Sequence, residues 1–188
     1  MPDDFSKSAR RVCFLLFLAV LLCTVGLKIY KADRTGIIYD ESLTFQRYCD
    51  SVHTALTSFD PDSASSTNNH LLNSIFIHYA RRWFGFYEHF IRIPSLLAGI
   101  VFSLAAAYII YKTIDSGPMR VVSLAMVLLV PFVFDYSYLA RGYAFGLAGI
   151  YAEIAFVLWL LEHKMPLRFW PIVAVVISAL NFLAFGSM

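Results

Sequence analysis

Charge is what this chain has least of. Only 15% of its 188 residues are charged, against 59% hydrophobic ones. A soluble domain carries about a quarter charged residues, so an ordinary water-soluble domain is excluded. Basic residues exceed acidic ones by a net +2. With no basic tract interleaved with exposed aromatics, nothing in the chain argues for a nucleic-acid partner. Cysteine is scarce too. Cys13 and Cys23 lie in the first apolar block and Cys49 stands alone, which leaves no disulfide framework and no C-x-x-C metal pair. The chain also lacks an N-x-S/T acceptor, an H-E-x-x-H pair, a phosphate-cradling glycine loop and a Ser/His/Asp nucleophile arrangement. Repeats and low-complexity tracts are absent as well.

What is present is apolar sequence gathered in blocks, the pattern of an all-α integral membrane protein. The first block, Val12 to Ile29, is long enough to span hydrocarbon at about 27 Å, provided that Lys28 snorkels. SKSARR before it resembles the basic start of a signal peptide, but no small-residue cleavage site follows, so a retained anchor is expected. Four more spans are expected at about 94–113, 119–136, 143–162 and 169–187. That makes one membrane domain over 1–188 with about five transmembrane helices.

The segment 30–93 fits neither membrane nor loop. Phe45, Tyr48, Cys49, Val52, Leu56 and Phe59 recur at spacings of three and four, which predicts an amphipathic helix. A second is predicted from Asn69, with Leu72, Ile75, Phe76, Tyr79 and Trp83 as its apolar stripe and Gly85 as its stop. Two such helices suit a membrane surface, and a small soluble insertion is the competing reading. Lys7, Arg10 and Arg11 predict a cytoplasmic N-terminus, with the 30–93 segment outside.

Candidate chemistry gathers in the external segments. Asp40, followed by Glu41, reads either as a general base for an acceptor hydroxyl or amine, or as a helix cap in favourable dipole position. Arg141 reads as a partner for a phosphate or as a snorkelling residue. Tyr136, Tyr138 and Tyr143 around it suit an aromatic belt. Asn69 is most simply an N-cap, and His70 is a ligand or a plain core histidine. Glu153 is an intramembrane acid, hence a functional candidate, and Asn181 is expected to join helices.

The order of these pieces carries a resemblance. A first span, Asp40-Glu41, Asn69-His70-Leu71-Leu72, Trp83-Phe84-Gly85, Arg92-Ile93-Pro94-Ser95 and Leu139-Ala140-Arg141-Gly142-Tyr143-Ala144 follow one another. The set resembles the N-terminal part of GT-C fold glycosyltransferases, in the protein mannosyltransferase and aminoarabinose transferase-like group. The prolines usual after Asn-His and the Glu usual before Ala-Arg are missing here. The resemblance implies inverting transfer of a sugar from a polyprenyl-phosphate carrier on the external membrane face. It also implies Asp40 as base, Arg141 at the carrier phosphate, and Glu41, Asn69, His70 and Tyr143 as substrate-binding residues. Whether a divalent metal takes part is left open. Family members carry more spans, which implies an N-terminal portion, or a chain completed by a partner. A non-catalytic membrane subunit that binds polyprenyl lipid or a partner enzyme is the other expectation.

Overall fold

The computed structural model describes residues 2–57, 70–85, 88–163, 168 and 170–185. Most of those residues lie in helices, with no strand among them. The helices are α1 (Pro2–Arg34), α2 (Tyr39–Tyr48), α3 (Val52–Thr57), α4 (Leu71–Phe84), α5 (Glu88–Thr113), α6 (Gly117–Leu129), α7 (Pro131–Tyr136), α8 (Tyr143–Glu162) and α9 (Trp170–Phe185). Among the described residues three stretches are long and apolar enough to cross a membrane: Lys7–Arg34, Phe90–Thr113 and Tyr143–Glu162.

The expected spans and the helices differ where proline intervenes. The 119–136 span is broken, because Val130, at φ −55° and ψ 122°, leaves the helical region just before Pro131. A proline pushes the preceding residue out of the α region and offers no N–H to continue the ladder. Thus α6 and α7 have 13 and 6 residues, both too short to span. The last helix has 16 residues. Pro94, at the start of the expected 94–113 span, lies inside α5, which starts earlier, at Glu88.

The amphipathic segment differs in a similar way. One continuous helix face from Phe45 to Phe59 was expected, but the chain breaks after α2 at Cys49–Ser51. Ser51 then caps α3, its Oγ accepting from the Thr54 N–H at 2.9 Å. Phe59 and Asn69 lie outside the described residues. The second helix opens after His70 and stops at Gly85, whose φ of 77° suits glycine.

The long helices pack through small residues. Helix α5 lies centrally against α1, α4, α6 and α8. Ala98, Ala106 and Ala107 of α5 meet Ala144 and Ala148 of α8, together with Phe17 and Leu21 of α1 and Leu124 and Leu128 of α6. Small side chains let backbones approach closely, which is how helices associate when lipid removes the hydrophobic drive. Phe102 fills the centre, edge-on to Tyr151 at 4.7 Å. The opposite faces leave Leu15, Leu22, Leu104, Ile154 and Val175 exposed, as lipid-facing surfaces do.

Lys28 departs from its expected place. It does not reach outward along the helix but is fully buried, and its Nζ donates to Ser103 Oγ at 2.8 Å beside the Phe102 ring.

A larger side chain on the α5 seam has nowhere to go. Ala106→Leu is expected to destabilise the protein by about 1–3 kcal/mol through overpacking. The checking measurement is thermal unfolding in detergent, where an unchanged midpoint would contradict this packing.

Candidate functional site

The site is built on a buried ion pair. Glu41 and Arg92 are both 0% exposed. Arg92 Nε donates to Glu41 Oε1 at 2.8 Å and Nη2 donates to Oε2 at 2.5 Å, the two-pronged geometry that arginine offers a carboxylate. Nη1 donates to the carbonyls of Ala32, at 3.0 Å, and of Thr35, and Nη2 to that of Gly36 at 2.9 Å. These carbonyls close the C-terminal end of α1, where helix geometry leaves acceptors unsatisfied and a cation is welcome. All five N–H groups of Arg92 are therefore used. Glu41 also accepts from the Ile38 N–H at 3.1 Å, so the α2 N-cap is Ile38 and Glu41 supplies the reciprocal capping bond. Asp40, read in one alternative as the cap, lies inside the first turn instead.

A second layer of polar contacts fixes the turn between α7 and α8. Glu41 Oε1 accepts from the Ala140 N–H at 2.8 Å, while the Ala140 carbonyl accepts from Asn73 Nδ2 at 2.9 Å. Asn73 Oδ1 in turn accepts from Ser95 Oγ at 3.1 Å. Both backbone groups of Ala140 are thus held by buried side chains from α2 and α4. The adjoining Gly142 has φ 77°, and a Cβ there would lie 2.3 Å from that of His70. Only glycine lets the turn pass so close.

These constraints present Arg141 to Asp40. Arg141 Nη1 donates to Asp40 Oδ2, and the pair is partly open, with 14% of the arginine side chain and 32% of the aspartate exposed. The guanidinium lies over the rings of Tyr136 and Tyr143 at 5.5 and 5.6 Å. Tyr143 meets His70 edge-on at 4.6 Å, and His70 is buried. Burial, then the charge of Asp135, pushes the nearby Tyr138 phenol up from its ordinary pKa.

Beyond Tyr143 the surroundings turn apolar. Phe145 stacks on Phe76 at 5.4 Å and joins Tyr79, Trp83, Leu97 and Val101 in lining a groove of about 670 Å³ between α4, α5, α8 and α9. Helix α4 buries Asn73 and Ser74 together with Leu71, Ile77 and Ala80, and leaves Phe76, Tyr79 and Trp83 exposed.

No family model, curated protein or solved structure matches the chain.

The sequence reading and the geometry meet in part. Asp40, Arg141, Tyr143 and His70 come together. Asn69 lies outside the described residues. Glu41 sits beside Asp40 but is wholly occupied with Arg92, Ile38 and Ala140, which gives it a positioning part in this conformation. Glu153 lies about 15 Å along α8 from Tyr143, where it accepts from Asn181 Nδ2 at 3.4 Å. Among the described residues no group of His, Cys, Asp and Glu side chains could hold a metal ion. Sequence reasoning missed Asn73 and gave Arg92 and Ser95 no role beyond their place in the resemblance. An arginine at the head of an apolar helix was the available signal, since it demands a carboxylate partner when buried.

The neighbouring Cys49 is fully buried, with its Sγ toward the Thr44 carbonyl at 3.4 Å. Burial pushes its thiol up to about 12, with Arg81 lowering and Asp50 raising it to smaller extents. At pH 8 it is thus a neutral thiol and a poor nucleophile. Cys49 is expected to resist iodoacetamide until denaturant is added, as peptide mass spectrometry would read; rapid labelling of the native protein would contradict its burial.

The two acidic neighbours should separate in stability. Glu41→Gln leaves Arg92 buried without its counter-charge, a loss of about 3–5 kcal/mol. Asp40→Asn opens only a partly exposed pair and should cost about 1 kcal/mol or less. Thermal unfolding of the two variants in the same detergent checks this, and equal losses would deny the difference in burial.

Proposed function

We propose that the chain is a membrane glycosyltransferase, or its N-terminal portion, that moves a sugar from a polyprenyl-phosphate donor to an acceptor on the external face. One observation carries the reading: the Asp40–Arg141 pair is partly open to solvent, and its arginine lies four residues before Phe145, which lines an apolar groove. A lipid-linked donor has that same division. Its phosphate suits the guanidinium, and its isoprenoid chain suits the groove beside Phe76 and Phe145. The resemblance to GT-C enzymes supports it further, since the three motif segments around Asp40, Arg92 and Arg141 are tied to one another by hydrogen bonds.

In this reading Arg141 turns from Asp40 to the donor phosphate. Asp40, released, accepts the proton from the acceptor hydroxyl or amine as that atom attacks the anomeric carbon. The bond from the anomeric carbon to the phosphate oxygen breaks, and its electron pair stays on the phosphate, held by Arg141. Attack opposite the leaving group inverts the anomeric centre. Polyprenyl phosphate leaves without needing a proton, so one base and one cation suffice. The exposed aromatic stripe of α4 would rest in the headgroup region. We further propose the cytoplasmic N-terminus and the multi-pass, about five-span topology, in which α6–α7 and α9 reach across as interrupted or short segments.

The apolar character of the groove also favours a second reading, a subunit that holds polyprenyl lipid or packs on a partner enzyme without performing transfer. The two separate in a transfer assay with polyprenyl-phosphate mannose or aminoarabinose as donor, in membranes carrying the protein with its natural partners. Asp40→Asn is expected to lower turnover by about a hundredfold or more while the folded amount is unchanged. Turnover equal to wild type would remove Asp40 as the base and leave the lipid-holding reading.

A further inference from the structure

A charged cavity lies at the other end of α1. It has a volume of about 310 Å³ and is faced by Arg10 and Arg11 of α1, Asp115 after α5, and Arg120 in the first turn of α6. Three guanidinium groups therefore meet one carboxylate. Among the described residues no ion pair closes on Arg11, Arg120 or Asp115. Arg11 and Arg120 thus share a single carboxylate across the cavity, and a bound anion relieves the repulsion between them.

The cavity is shaped as well as charged. Arg120 is held in place: its Nε donates to the Ile114 carbonyl at 2.5 Å, and its guanidinium lies on the Tyr111 ring at 4.4 Å. Among the described residues its terminal amino groups meet no acceptor. Gly117, the first residue of α6, also lines the cavity and brings the positive end of that helix to it. The floor is apolar and aromatic, with Phe14 edge-on to Tyr111 at 6.3 Å. Phe14 is 46% exposed and Leu15 beside it 64%, so the cavity opens onto an apolar helix face. That combination favours a lipid over a soluble anion.

We infer that this cavity binds the phosphate of an anionic phospholipid headgroup, with the acyl chains running along Phe14 and Leu15. It lies at the boundary of the two long apolar helices α1 and α5, at headgroup depth when these cross a bilayer. The site is separate from the Asp40–Arg141 pair, about 36 Å away along α1, and does not depend on the sugar-transfer reading.

Native mass spectrometry of the full chain in an uncharged detergent tests it, with dioleoyl phosphatidylglycerol and phosphatidylcholine competing at equal concentration. The wild type should retain phosphatidylglycerol selectively. The double variant Arg11→Gln/Arg120→Gln should lose that retention by roughly fivefold for each arginine removed. Arg11→Lys/Arg120→Lys should keep most of it, and Arg34→Gln, at the far end of α1, all of it. Equal retention of the two lipids by the wild type overturns the proposal, and that arm stands even where the double variant does not fold. Undiminished retention by a folded double glutamine variant overturns it too. Displacement of the lipid by millimolar inorganic phosphate would mark a soluble-phosphate site and remove the lipid assignment.

Discussion

The Glu41–Arg92 pair is the constraint on which the candidate site depends. Taking two charges from water costs several kcal/mol for each ion, and their attraction repays this only where every remaining polar group is satisfied. Here that condition is met in full. The five donors of Arg92 and the two oxygens of Glu41 close the end of α1, the start of α2 and the turn before α8 in one network. Such a pair has little tolerance for displacement, because any group that leaves the network becomes a buried polar orphan.

The rigidity of this pair determines what its chain neighbours can do. Successive helical residues differ in direction by about 100°. With Glu41 turned into the interior, Asp40 is turned toward the opening. The same division recurs one turn away in space, where Ala140 is held inside by Glu41 and Asn73 while Arg141 points out to Asp40. Each buried residue is thus followed or preceded by the partly open one that it aims. Arginine serves both layers for different reasons: Arg92 caps and pairs without access to solvent, whereas Arg141 lies on aromatic faces with a partner it can exchange.

The apolar surroundings complete the picture. Helix α4 buries two polar residues, Asn73 and Ser74, beside Leu71, Ile77 and Ala80, and exposes Phe76, Tyr79 and Trp83. In water that would be costly. Against lipid the exposed aromatic rings are favourable, and the buried Asn73 becomes part of the hydrogen-bonding support of the site. The aromatic side forms one wall of the groove, so a single helix links the polar cluster at His70 to the apolar channel beyond it.

Much of this was legible in the residue order. The apolar blocks dictated an all-helical chain with long membrane-compatible helices, because hydrophobic runs of that length have no other stable burial. Tyr143 and Glu162 bounded α8 as expected, Gly85 stopped α4, and Asp40, His70, Arg141 and Tyr143 stood out as chemistry-bearing residues near helix ends. Local patterns misled where proline or a serine cap competed with periodicity, as at Pro131, Pro94 and Ser51. What the tertiary structure alone decided was pairing across the chain. Glu41 and Arg92 are 51 residues apart, Asp40 and Arg141 101. Nothing in their local sequence says which acid is buried and which is open. Periodicity reports the face on which a residue lies, but only the packed helices determine what that face meets, and burial is what turns one carboxylate of an adjacent pair into a support and leaves the other available.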